Sequence, residues 1–113
     1  MTRKEALAEL IAKVEAGEAW PMGRFADRYD VGIMGAHWSK AYKACHGSLD
    51  AAKSLHEAVL PGWSWRITRG KYTPCAIVQG DLMAGQHSEC ENPDPARAWL
   101  LAILKALETQ EAD

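Results

Sequence analysis

Leu60-Pro61-Gly62-Trp63-Ser64-Trp65-Arg66-Ile67-Thr68-Arg69-Gly70-Lys71 is where the chain changes its period. Before it, Leu49, Ala52, Leu55, His56, Val59 and Leu60 gather on one side of a helical wheel, with Asp50, Ser54 and Glu57 largely opposite. Ser48, after Gly47, is placed to cap that helix, and Asp50 suits the positive end of its dipole. Pro61-Gly62 ends it. From Trp63 the period falls to two: Trp63, Trp65 and Ile67 alternate with Ser64, Arg66 and Thr68, which predicts a half-buried strand with an aromatic face. Gly70-Lys71 fits a two-residue hairpin turn with glycine first. Tyr72 to Gly80 then returns, centred on Cys75-Ala76-Ile77-Val78, with Pro74 confined to an edge or to the strand start because it has no N–H to donate.

Downstream, Gln86–Glu91 carries a weak signal for a third strand. Asp94 as N-cap and Pro95 at the first helical position open a final helix over 95–108. Its apolar residues Ala96, Trp99, Leu100, Ile103, Leu104 and Leu107 cover a broad arc, and Leu101 falls on the remaining side among Arg97, Lys105 and Glu108. So wide an arc exceeds what one small sheet covers, which calls for several surrounding helices or a partner chain. Upstream, Thr2-Arg3-Lys4-Glu5 has the form of a capping box, and Leu7, Leu10, Ile11 and Val14 give one amphipathic stripe up to Gly17. The first helix is therefore expected over 3–16. Residues 17–35 read as irregular, and His37, Trp38, Ala41, Tyr42 and Cys45 suit a second short helix over 36–45. The expected class is α+β: a small antiparallel sheet of two or three strands packed with three or four helices.

The 113 residues, 48% hydrophobic and 25% charged with net charge −2, have room for one domain, 1–113. That apolar fraction excludes a disordered chain, and there is no apolar run of membrane-spanning length. Residues 1–47 are net +1 and residues 48–113 net −3, so neither half is an electrostatic footprint for nucleic acid. Glu5, Glu9, Lys13 and Glu15 interrupt the N-terminal apolar residues, which argues against a signal peptide. Three widely spaced cysteines, Cys45, Cys75 and Cys90, make no disulfide framework. These signals together lead us to expect cytoplasmic residence.

From Ser48 onward the chain also resembles a known family. Ser48-Leu49-Asp50-Ala51-Ala52 leading to Val59-Leu60-Pro61-Gly62-Trp63-Ser64-Trp65, and Pro95-Ala96-Arg97-Ala98-Trp99-Leu100-Leu101 after the strands, are similar to the pattern of the phage ABA-sandwich domain family. The likeness spans roughly 36–108, and Leu-Pro-Gly-Trp is its most distinctive piece. It implies a phage or prophage origin and a layered α/β arrangement. It carries over no catalytic residues.

Motifs for chemistry are incomplete. His56-Glu57-Ala58-Val59-Leu60 is half of H-E-x-x-H, with Leu60 where the second zinc ligand belongs. Since His56 lies in the apolar stripe, a packed, hydrogen-bonded histidine is the expectation. Cys45, His46, His87 and Cys90 are of the types zinc prefers, and would form a structural site only if all four converged. Glu89 and Glu91 flank Cys90 and should disfavour its thiolate. Phosphate-loop, dinucleotide and nucleophile-elbow glycine patterns are absent. No catalytic residue or cofactor is therefore expected, and the chain reads as a non-enzyme.

Two binding readings remain. Arg66, Arg69 and Lys71 interleaved with aromatics suggest a weak single-stranded nucleic-acid module, but the period-two pattern more simply places Trp63, Trp65 and Ile67 in the core. The favoured reading is a phage accessory protein acting by contact with a host or phage protein, an anti-CRISPR-like inhibitor being one concrete form. A homodimer through Leu101 is its near neighbour. Of the five tryptophans, Trp63, Trp65 and Trp99 are expected in the core, which leaves Trp20 and Trp38 as candidate partner contacts.

Overall fold

A computed structural model describes residues 3–18, 37–69 and 71–110. Trp20 and nearly all of the stretch read as irregular lie outside the described residues, as does Thr2 of the capping box. The elements are α1 (Arg3–Glu15), α2 (Trp38–Cys45), α3 (Leu49–Val59), β1 (Ser64–Arg69), β2 (Pro74–Gln79), β3 (His87–Glu91) and α4 (Pro95–Gln110), with a short 3-10 turn over Leu82–Ala84. The architecture is α+β: among the described residues, four helices with a three-stranded antiparallel sheet in the order β1-β2-β3. Among the described residues no helix is long and apolar enough to cross a membrane.

Local chemistry accounts for the boundaries. The Ser48 hydroxyl accepts from the Ala51 N–H at 3.1 Å, the N-cap expected of it. Asp94 Oδ1 accepts from the Ala96 N–H at 2.9 Å at the head of α4. After α3, Gly62 takes φ 83°, a left-handed turn that side chains resist, and the chain reverses into β1. The hairpin differs from the expected two-residue turn. Pairing closes at Arg69↔Pro74, so four residues connect the strands, and Pro74 stands first in β2, where its missing N–H does least harm.

Register divides the sheet into two faces. Trp65↔Val78, Ile67↔Ala76 and Ala76↔Cys90 put these residues on the inner face, and Ser88, cross-strand from Val78, joins them. Ala76, Val78, Ser88 and Cys90 are buried there beneath α4, which packs on β2 and β3. Arg66↔Ile77, Ile77↔Glu89 and Cys75↔Glu91 define the outer face. Gly80, just past β2, has no room for a side chain, since a Cβ would lie 2.7 Å from the Trp63 ring.

α4 is the hub, packed on the sheet and against α1, α2 and α3. Its wide apolar arc is met within the chain. Leu101 is 1% exposed, which corrects its expected place on an outer, partner-facing side. The reason is spacing: Arg97, Leu101 and Lys105 recur every four residues and form the seam with α1. The polar members reach around α1, with Arg97 donating to the Val14 carbonyl at 3.2 Å and Lys105 pairing with Glu15 at 3.3 Å. Arg97 also donates to the Cys45 carbonyl at 3.1 Å and to the Glu18 carbonyl. One guanidinium thus ties the C-terminal ends of α1 and α2 to the start of α4, sharing the Val14 carbonyl with the Gly17 N–H.

Candidate functional site

The half-motif histidine is structural. His56 is 1% exposed, its Nε2 lies 3.0 Å from the Trp63 carbonyl, and the Trp99 indole N–H donates to its Nδ1 at 3.3 Å. An indole can only donate and a carbonyl can only accept, so the ring carries its proton on Nε2. Both nitrogens are satisfied, leaving no lone pair for a metal.

The four zinc-type residues fall in two pairs, at the end of α2 and on β3. Cys45 ends α2 in the core, and His46 caps that helix with its ring 4.5 Å from that of Tyr42. His87 and Cys90 are three apart on β3 and so point to opposite faces of the sheet. His87 lies on the outer face within 3.7 Å of Glu89, and Cys90 is buried on the inner face. Among the described residues no group of three or more His, Cys, Asp or Glu is arranged to hold a metal ion.

The same alternation corrects the reasoning about the thiols. Glu89 and Glu91 project away from Cys90 and bear instead on Cys75, which shares the outer face. Burial and then these two carboxylates push the Cys75 thiol up from its ordinary range. Burial pushes Cys90 up as well, and this outweighs the opposing charge of Lys105. Neither is set up as a nucleophile.

Trp65 departs from its expected core position. It is 41% exposed, although its ring stacks 4.4 Å from that of Trp99 at an interplanar angle of 34°. α4 spans β2 and β3, and β1 is the outermost strand, so Trp65 leans inward with part of its ring in solvent. Trp38, expected as a candidate contact, is partly buried against the core. Among the described residues, the exposed tryptophan is therefore on β1. The sequence signal for it was topological: in a three-stranded meander, the first strand is an edge.

Around Trp65, among the described residues, lies a feature with binding character. A groove of about 250 Å³ is lined by Ser64, Trp65, Arg66, Ile77 and Gln79. No described helix lies over the outer face from which most of these residues project. Arg66 and Arg69 are both exposed but stand three apart on β1, so they leave the sheet on opposite faces. Lys71 lies beyond, its ammonium 5.2 Å from the Tyr72 ring centroid in the hairpin connection. The three cations line one edge and one tip without converging on an aromatic platform. No acidic residue occurs between Glu57 and Asp81, so β1 and its flanks carry positive charge alone. β3, at the other edge, carries Glu89 and Glu91.

Comparison with protein-family models, with curated proteins and with solved structures gives no match for this chain.

Proposed function

We propose that this protein acts by protein–protein contact, with the edge of β1 that no described strand pairs with, and the adjoining outer face of the sheet, as its contact surface. The observation that carries this reading is Trp65: a large aromatic ring, 41% exposed, on an edge strand beside a groove with Arg66 and Ile77. Tryptophan and arginine are the residues on which binding energy most often concentrates, and an edge strand offers unpaired backbone groups beside them. The likeness to the phage ABA-sandwich family extends the reading. On it, the chain is a phage or prophage accessory protein, without enzymatic activity of its own. It works in the cytoplasm of the bacterial host and blocks a host defence system in the manner of an anti-CRISPR protein.

The test is affinity capture from lysate of a bacterial host with the parent protein and a Trp65→Ala/Arg66→Ala variant of unchanged circular dichroism. The reading requires a host or phage protein held by the parent and lost from the variant. Identical recoveries from the two baits would overturn it. Light scattering alongside tests the homodimer, which a constant monomer mass at rising concentration excludes.

A further inference from the structure

We infer that the open edge of β1 adds an extended acidic strand of another protein to the sheet, its acidic residues beside Arg66 and its apolar residues over Trp65. This rests on the contact reading above and names the mode and chemistry of the partner. Three observations lead to it. Every second residue of an edge strand turns its N–H and C=O away from the sheet, and among the described residues nothing pairs with the outer side of β1. Trp65 and Arg66 are neighbours in sequence and so serve opposite faces, and a strand laid alongside would meet an apolar surface on one face and a cation on the other. Finally, among the described residues no ion pair uses Arg66, Arg69 or Lys71, whereas Lys13, Lys53 and Lys105 each stand against a glutamate.

Charge also decides between occupants. A second copy presenting its own β1 would set Arg66, Arg69 and Lys71 against the same three cations, which repels. At the far edge, Glu89 and Glu91 repel an acidic strand and so direct it to β1. A second copy presenting β3 is complementary in sign, but that head-to-tail contact repeats without closing unless its rotation forms a ring. The alternation in the partner follows from the pleat: acidic, apolar, acidic, apolar. Backbone pairing supplies affinity in this mode and the alternate side chains supply selectivity.

The probe is a fluorescein-labelled hexapeptide of alternating glutamate and valine, matched to the six residues of β1, with an alternating lysine and valine peptide as control. At low salt the glutamate peptide should bind at least about tenfold more tightly than the lysine peptide, and the preference should shrink as salt screens it. Arg66→Glu/Arg69→Glu, two exposed positions whose reversal leaves the core untouched, should invert the order. Amide shifts on titration should fall on β1 and spare β3. Equal affinities for both peptides, an order unchanged by the charge reversal, or shifts centred on β3 would each overturn strand addition. Particle growth with concentration in the absence of peptide, abolished by the charge reversal, would make a second copy's β3 the occupant and overturn it too. Should neither peptide bind while capture of a host or phage protein still depends on Trp65, strand addition fails and the contact reading stands. If capture does not depend on Trp65 either, both fail.

Discussion

Replacing His56 with leucine isolates the polar link at the centre of the core. The substitution keeps an apolar side chain of similar reach but removes both acceptor Nδ1 and donor Nε2. The Trp99 indole N–H, bonded at 3.3 Å in a buried position, is left with no partner, and the Trp63 carbonyl loses a bond of 3.0 Å at a partly buried one. An orphaned buried donor costs about 1–3 kcal/mol, and loss of a half-solvated bond adds about 0.5–1.5 kcal/mol. The apolar gain of leucine offsets part of this, so the expected loss is about 1–4 kcal/mol. At about 4 °C per kcal/mol for a chain of this size, Tm falls by about 4–16 °C. Urea unfolding followed by tryptophan fluorescence measures the free energy directly, with an unchanged m-value as the check on two-state behaviour. The decisive arm is a double-mutant cycle with Trp99→Phe, which removes the donor that the leucine strands. Removing both partners should cost about 1–2 kcal/mol less than the sum of the single changes. A His56→Leu protein within about 0.5 kcal/mol of the parent, or a strictly additive cycle, would refute the assignment.

The other predictions concern the helix seams and the thiols. Arg97→Met removes donors to three carbonyls and should destabilise by about 2–4 kcal/mol, with hydrogen exchange rising first at the C-terminal ends of α1 and α2. Exchange that rises uniformly would show that the guanidinium does not hold those ends. Leu101→Ala should cost about 2–5 kcal/mol at any protein concentration, because the side chain is buried within its own chain. A loss that vanishes on dilution would instead locate Leu101 at a dimer interface. Folding raises the Cys75 and Cys90 thiols, so the native state holds their protons more tightly than the unfolded one. Stability is then full below the unfolded thiol value of about 8.5 and falls as pH rises through the folded values. Urea titrations at stepped pH should show this fall for the parent and a shallower one for Cys90→Ala, and an unchanged slope would remove Cys90 as a contributor.

Most of the fold was legible because its cues are local. The Ser48 and Asp94 caps, the change of period at Trp63 and the alternation within β1 and β2 are written within a few residues of where they act. The weak third strand appears at His87–Glu91. What misled was facing. Glu89 and Glu91 look like neighbours of Cys90 in the chain but act on Cys75 across the sheet. Leu101 looked stranded among charges until α1 covered it and those charges proved to span the seam. The candidate site was half visible: Arg66, Arg69 and Lys71 stood out in sequence, whereas Trp65 was expected in the core.

The sequence alone determined the α+β class, the order of elements, the helix caps and the lack of acidic residues between Glu57 and Asp81. Each is a property of nearest neighbours or of composition, which the chain carries even unfolded. Tertiary structure decided which side chains meet and which face water. His56 finds Trp99 from 43 residues away, and Arg97 reaches the Val14 carbonyl across 83. Strand order put β1 at the edge, out of reach of the helix that buries the other two strands, and so left part of Trp65 in solvent. A period of two says that a side chain has a face, and only the packing of the layers says what lies over it.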